Sequence, residues 1–411
     1  MEVALAAVRL CSPNLGNTAE ACTSLADTLR TAPYEKPVAM TTPNSDPFDL
    51  VGTTIAGKYD VDHVVARTAL SVVYRATHRV WQRSVAIKAF TAPLLSDDSR
   101  QQLLASFVEE GRLLMELSER CASICQARDV SSLTTAGGDW VPYTVLEWLD
   151  GECLEIVMRR ERAEGLRPRT LAEAVALLNP IAEALAIAHE RGVAHRDVKP
   201  GNIFVLSDGR DEAPRTKLLD FGVAKVVRGA TVVPPGALLS QSFTPSYGAP
   251  EQFSAAYGTT GPWTDVFAFA LIVVELLAGR EALEGEIVGN LAVQSCDPHA
   301  RPTPRALGAI VGDEVEQVLA RALAVSPEDR FLNARDLWDA LLAALVAQDG
   351  ADIQITWDAA EPGADDALAE VEGLVGSDRL SPTSLLASSV PLELNLQREG
   401  AAFNHMTEKS T

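Results

Sequence analysis

A change of hydrophobic pattern near residue 150 constrains the fold of this chain more than any other feature. Before it, Tyr59 to Val65, Ser71 to His78 and Ser84 to Phe90 are short segments rich in valine and other strand formers, separated by brief turns. They predict an antiparallel meander. Leu103, Phe107, Leu114 and Leu117 recur at helical spacing and predict a helix from Ser99 to Leu117, and Val141 to Leu146 predicts one more strand. From Leu171 the pattern is mostly helical, over Leu171 to Arg191, Thr264 to Ala278, Asp313 to Ala324 and Asn333 to Ala347. The expectation is an α+β, bilobal fold: a small antiparallel β-sheet lobe with one helix, a larger mainly α-helical lobe, and a ligand cleft between them.

The ends lack these periods. Residues 1–50 are rich in Ala, Thr, Pro and Ser and read as a flexible leader, within which Met40 is a candidate alternative start. Residues 346–411 hold 12 acidic side chains against three basic ones, too much like charge for too little apolar surface, and read as an acidic, disordered tail. A length of 411 residues with 47% hydrophobic content allows a large core, and the net charge of −21 argues against a nucleic-acid-binding surface. Cys121 and Cys125 are four apart without a companion His or Cys pair, which favours buried free thiols over a metal site. The best apolar run, Val266 to Ala278, contains Glu275 and is too short to span a bilayer. Glu2 and Arg9 break the pattern of a secretory signal, so a cytoplasmic location is expected.

Two motifs carry the chemistry. His195-Arg196-Asp197-Val198-Lys199-Pro200-Gly201-Asn202 is followed by Asp220-Phe221-Gly222, with Asp220 23 positions after Asp197. A candidate base, a cation and two metal-binding side chains fall within one short region, as phosphoryl transfer to a hydroxyl requires. Together with Val85-Ala86-Ile87-Lys88, these motifs resemble the catalytic loop, magnesium loop and third-strand lysine of the bacterial eukaryotic-like (Hanks-type) serine/threonine protein kinases. The resemblance covers residues 58–345, with an N-lobe of about 58–147 and a C-lobe of about 152–345.

The resemblance implies a role for each residue. Asp197 would orient the attacking hydroxyl and accept its proton, and Lys199 would lie beside the γ-phosphate of ATP. Asn202 and Asp220 would supply oxygen ligands to Mg²⁺. Lys88 would bind the α- and β-phosphates, held by Glu110, with Glu109 as the alternative. His195 is expected to be structural. Pro142 to Gly151 resembles the strand and hinge joining the lobes, so that the main chain of Glu147 to Leu149 would bond the adenine edge, with Leu146 as gatekeeper. Val65, Val73, Ala86 and Phe204 would enclose the adenine ring.

The loop over the phosphates departs from the family. Ala66, Thr68 and Ser71 stand where three glycines normally occur. A non-glycine residue forced to positive φ costs about 1 kcal/mol or more, so a KM for ATP raised roughly ten- to a hundredfold is expected if the loop keeps its usual path.

On the substrate side, Phe243-Thr244-Pro245-Ser246-Tyr247-Gly248-Ala249-Pro250-Glu251 resembles the end of the activation segment, with Phe243 replacing the usual glycine. Glu251 is expected to pair with Arg330, and Asp265 to accept hydrogen bonds from the catalytic loop, all three as supports. Lys199 and Thr244 mark serine/threonine specificity within the family, and Ser240, Ser242 and Thr244 are candidate phosphosites. The partners implied are protein substrates and a transient homodimer for autophosphorylation in trans. The competing readings are a nucleotide-binding or scaffold module with little catalysis, suggested by the missing glycines, and a small-molecule phosphotransferase of related fold.

Overall fold

Strict alternation builds the N-terminal sheet. In β3 (Ser71–His78) the side chains of Val72, Tyr74 and Ala76 are buried on one face while Val73, Arg75 and Thr77 are half-buried on the other. The computed structural model describes residues 46–68, 71–91, 97–207, 215–221 and 243–349. Its larger sheet has the order β1-β2-β3-β4-β6-β5, formed by β1 (Thr54–Ile55), β2 (Tyr59–Arg67), β3, β4 (Arg83–Phe90), β5 (Ala127–Thr134) and β6 (Trp140–Glu147). Each neighbouring pair is antiparallel. The expected meander is present, while β5, with the polar sequence ARDVSSLT, has too little alternation to be read in advance.

One face of this sheet forms a local core from Val61, Val72, Tyr74, Ile87, Tyr143 and Val145, capped by Leu50 and Ile55. Asp46 anchors this cap by accepting the Tyr74 hydroxyl at 2.6 Å. Residues 46–57, placed by the sequence outside the 58–345 domain, therefore pack as part of the N-lobe. Their apolar side chains are too sparse to show a period.

Helix α1 (Asp97–Arg120) buries Leu103, Phe107, Leu114 and Leu117, the row predicted for it, and Phe107 meets Phe90 edge-on at 5.1 Å between centroids. The hinge leads into β7 (Gly151–Cys153), which joins β8 (Ile203–Leu206) and β9 (Thr216–Leu218) in a second, three-stranded sheet. Gly151 is required there. Its φ is +146°, and a Cβ would lie 2.0 Å from the Val205 carbonyl oxygen.

The remaining helices are α2 (Leu154–Ala163), α3 (Leu171–Glu190), α4 (Pro262–Ala278), α5 (Val288–Cys296), α6 (Asp313–Ala322) and α7 (Ala334–Asp349). A reciprocal capping box between Thr170 and Glu173 starts α3, an arrangement worth about 0.5–2 kcal/mol. α3 is long and apolar enough to cross a membrane by length and composition, and the sequence reading had instead singled out Val266 to Ala278. In the fold α3 is a core helix, with Leu178, Ile181 and Leu185 fully buried. α4 is buried almost throughout, so its hydrophobicity reflects a central position. α7 continues to Asp349, past residue 345 where the domain was expected to end.

Candidate active site

Asp265 organises the catalytic loop from below. At the first turn of α4 and fully buried, it accepts the main-chain N–H of His195 through Oδ2 and that of Arg196 through Oδ1, both at 2.6 Å. His189 completes the cluster. Its Nδ1 accepts from Ala334 N at 3.1 Å, so Nε2 carries the proton directed at Asp265 Oδ2, 2.9 Å away. Burial alone would raise the Asp265 pKa, but the hydrogen bonds from His189 and from the Arg196 main chain oppose it, and the carboxyl is held below its ordinary value.

This anchoring holds an unfavourable backbone. Arg196 has φ +63° and Asp220 has φ +62°, conformations that cost a side-chain-bearing residue on the order of 1–3 kcal/mol and are kept only where surrounding bonds dictate them. His195 supplies one of those bonds. It is fully buried, its Nε2 donates to the Leu219 carbonyl at 2.8 Å, and its ring meets Phe221 at 4.8 Å. The histidine thus ties the loop bearing Asp197 to the loop bearing Asp220, a structural role.

The expected base is held on both oxygens. Lys199 Nζ donates to Asp197 Oδ2 at 3.0 Å, and Thr244 donates to Oδ1 through its hydroxyl at 2.9 Å and its main-chain N–H at 3.1 Å. Lys199 also donates to Thr244 Oγ1 at 2.7 Å. Burial pushes the Asp197 carboxyl up, yet the charge of Lys199 and these hydrogen bonds leave it below the usual carboxylate range. Asn202 Nδ2 donates to the Asp197 carbonyl at 2.8 Å, which turns its amide oxygen away from that group. The structure therefore brings Asp197, Lys199, Asn202 and Thr244 together.

Lys88 is where the structure differs from expectation. Its Nζ bonds Asp220 Oδ2 at 2.5 Å, and among the described residues its ion pair is with Asp220 and not with Glu110. The attraction is electrostatic: Asp220 is the carboxylate in direct contact with the ammonium. Burial raises the Asp220 pKa and the Lys88 charge more than reverses it, so Asp220 is ionised at neutral pH. Glu110 remains on α1, half-buried.

Strand register places the presumed nucleotide wall. Val73 pairs with Lys88, Arg75 with Ala86, Lys88 with Thr144 and Ala86 with Leu146, so Val73, Ala86, Lys88 and Leu146 share one face of the sheet. Val65 sits at a bulge between paired Val64 and Ala66, and Phe204 lies on β8 in the second sheet. Ala66, Thr68 and Ser71 are not among the residues with positive φ. Thr68 instead closes the loop, donating its N–H to Ser71 O at 2.8 Å while its Oγ1 accepts from Ser71 N at 3.0 Å. The expected strain is therefore absent at all three positions, because each lies in extended chain or at a hydroxyl-capped turn.

One functional contact escaped the sequence. The Glu147 carboxylate accepts from Lys217 Nζ at 2.5 Å and from Gln126 N at 2.9 Å, tying the hinge to the strand that leads to Asp220. Glu147 and Lys217 are 70 residues apart, and neither belongs to a spacing motif that would link them.

The supports are as expected. Arg330 and Glu251 form a bidentate pair with both distances 2.9 Å and both side chains fully buried, and Thr264 Oγ1 donates to Glu251 at 2.8 Å. Phe243, in the place of a glycine, packs edge-on against Phe253 at 5.0 Å. The space comes from Gly248, where a Cβ would lie 2.4 Å from the Phe243 ring. Thr244 spends its hydroxyl on Asp197 and Lys199, and a phosphate there would face the Asp197 carboxylate, which suits a fixed support better than a phosphosite. Ser240 and Ser242 lie outside the described residues.

Comparison with known proteins gives a consistent result. The family model for the protein kinase domain matches residues 59–339. Serine/threonine-protein kinase PknL of Mycobacterium bovis is 31% identical over 294 residues, covering 70% of this chain and 65% of that protein. Serine/threonine-protein kinase PknA of Mycobacterium tuberculosis is 28% identical over 293 residues, covering 71% and 62%. The chain thus spans slightly less than two thirds of the length of these curated relatives. Among solved structures, the PknI kinase domain of Mycobacterium tuberculosis aligns with a TM-score of 0.50 and 25% identity, over 71% of this chain and 98% of that domain.

Proposed function

The chain belongs to the protein kinase domain family, and from that premise we propose that it transfers the γ-phosphoryl group of ATP to serine or threonine hydroxyls of proteins. One observation carries the reading: Asp197 is held ionised between Lys199 and Thr244, on a loop tied by His195 to the loop of Asp220, which in turn bonds Lys88 of β4. Phosphoryl transfer asks the protein for position and charge more than for covalent chemistry, and this cluster supplies both.

Asp197 orients the acceptor hydroxyl and takes its proton. The depressed pKa of Asp197 makes it a weak base, so orientation is the larger part of its work. Lys199 stands within reach of the same oxygens and would offset charge on the transferred group. Lys88 would turn from Asp220 to the phosphates of ATP, with Glu110 the candidate carboxylate behind it, and Asp220 would then be free to hold a metal ion. Asn202 and Asp220 offer an amide oxygen and a carboxylate, the hard donors that Mg²⁺ takes in small number while phosphates complete its shell. When bound, that ion neutralises charge on the phosphate oxygens. Glu147 and Leu149 would present main-chain groups to adenine, roofed by Val65, Val73 and Ala86 and floored by Phe204. A cytoplasmic setting, where ATP is plentiful, suits this chemistry.

The reading of a module without catalysis drew its force from strain in the phosphate loop. None of Ala66, Thr68 or Ser71 is at positive φ, which removes that motive. A protein acceptor is favoured over a small molecule because the segment from Thr244 to Glu251 is bolted to Arg330 and bonded to Asp197. The test is transfer of label from γ-labelled ATP to casein-like and basic proteins by wild type, Lys88→Met and Asp197→Ala. Label incorporated by wild type and lost in both variants is expected; equal incorporation by Asp197→Ala would refute the assignment.

A further inference from the structure

The face of the sheet that carries Lys88 does not end at the adenine roof. Arg75 stands opposite Ala86, two residues beyond Val73 on the same face of β3, at the outer end of the row that starts with Lys88. Its guanidinium lies over the indole of Trp148, 5.0 Å from the ring centroid, and one terminal nitrogen donates to Ser84 Oγ on β4 at 3.1 Å. Trp148 is the hinge residue between Glu147 and Leu149, and its Nε1 donates to Asp150 Oδ1 at 2.8 Å. A continuous line of contacts therefore runs from the roof strands through Arg75 and Trp148 into the hinge.

The ordinary role for such an arginine would be an ion pair with an acid on the neighbouring strand. Asp62 is present, but its oxygen lies 4.0 Å from Arg75 Nε, and that nitrogen is buried without a hydrogen-bond partner. An arginine oriented by Asp62 would spend Nε on it. The geometry here is set by Ser84 and by the indole face, which attracts a cation through its quadrupole.

The hinge is consequently held from two directions. Glu147 is drawn back by Gln126 N and Lys217, and the next residue, Trp148, is held by Arg75 from the roof. The side chains of two successive residues are each held by partners from different segments of the chain, which restrains the peptide group between them.

We infer that Arg75 is a positioning residue for the nucleotide: acting through Trp148, it sets the hinge at its working distance beneath the roof of Val73 and Ala86 before ATP arrives. This rests on the nucleotide site proposed above. The contacts of Arg75 are to Trp148, Ser84 and Asp62 and to none of Asp197, Lys199, Asn202 or Asp220, so its loss weakens adenine binding and leaves the cluster around Asp197 as it is.

The experiment uses the full chain and the variants Arg75→Ala, Arg75→Lys, Trp148→Phe, Trp148→Ala and the double Arg75→Ala/Trp148→Ala. Steady-state kinetics give kcat and KM for ATP, binding of a fluorescent ribose-labelled ATP gives Kd directly, and thermal melts verify folding. Arg75→Ala is expected to raise KM and Kd about two- to fivefold with kcat held, the range of one cation–π contact at a partly exposed site. Arg75→Lys and Trp148→Phe, which keep a cation and a ring, should recover most of the loss, and the double variant should be no worse than Trp148→Ala. An unchanged Kd in Arg75→Ala, an equal fall in kcat, or losses that add in the double variant would overturn the assignment. Failure of the wild type to bind the labelled nucleotide would overturn the nucleotide site itself, and with it this inference.

Discussion

Thr244 and Asp197 are joined twice, the threonine hydroxyl donating to Asp197 Oδ1 at 2.9 Å and the threonine N–H to the same oxygen at 3.1 Å. The segment that would receive a protein substrate is thereby fixed to the group that would activate its hydroxyl. Thr244→Val removes the hydroxyl and keeps the shape. A fall in kcat of about ten- to a hundredfold is expected, on the scale that misplacing a reacting group costs, with Thr244→Ser close to wild type. Steady-state phosphorylation assays at saturating ATP check this, and a Thr244→Val enzyme with unchanged kcat would contradict it.

The Glu251–Arg330 pair is fully buried on both sides, so removing one partner leaves the other charged and desolvated. Arg330→Ala and Glu251→Gln are each expected to cost about 3–5 kcal/mol, read from the urea midpoint at unchanged slope. Arg330→Lys should not rescue, because an ammonium cannot reproduce the two parallel bonds to the carboxylate or the bonds to the Ala324 and Val325 carbonyls.

Asp265 predicts a pH signature. Its folded-state pKa is depressed, with burial opposed by the hydrogen bonds it accepts from His189 and the Arg196 main chain. Its ionised form therefore stabilises the fold above the unfolded carboxylate pKa of about 3.9, and that contribution is lost as pH falls through the depressed value. Asp265→Asn should be less stable than wild type by a constant margin above about pH 5, with the two converging below about pH 4. Denaturant titrations across that range measure the margin; a gap that widens on acidification would reverse the sign.

The phosphate loop provides a test of strain. Because Ala66, Thr68 and Ser71 do not adopt positive φ, restoring glycines there relieves nothing. Ala66→Gly and Ser71→Gly are expected to lower KM for ATP by less than about threefold, and Ser71→Gly to lose some stability through backbone freedom. A tenfold drop in KM would restore the steric argument and place the cost in the nucleotide-bound conformation.

Legibility in the sequence followed the range of the interaction. β3 was located to the residue because the alternation of Ser71 to His78 is a local record of which face is buried. The row Leu103, Phe107, Leu114 and Leu117 marked the inner face of α1 for the same reason. By contrast, β5 carries polar and small residues and leaves no period, and the cap of residues 46–57 buries only Leu50 and Ile55 and is anchored by Asp46 on the Tyr74 hydroxyl, too few positions to make one.

The site divides similarly. Asp197, Lys199, Asn202 and Asp220 stood out because they fall in two short motifs that resemble those of the kinase family. Glu251 with Arg330, 79 residues apart, was reached through family resemblance alone. Lys217 with Glu147 and Arg75 with Trp148 gave no such signal, since any exposed Lys or Arg reads as a solvated charge until a strand register places it.

By itself the sequence determined most of the regular elements and which motif side chains carry charge, because helical and strand periods and short motifs are written in neighbouring residues. Only the tertiary structure decided who meets whom: that Lys88 rests on Asp220, that the hinge is gripped by Lys217 and Arg75, and that Ala66, Thr68 and Ser71 avoid positive φ. The physical reason is that contact energies fall off within a few ångströms, so a partner tens of residues away is chosen by how the sheets and helices pack and leaves no trace in local spacing.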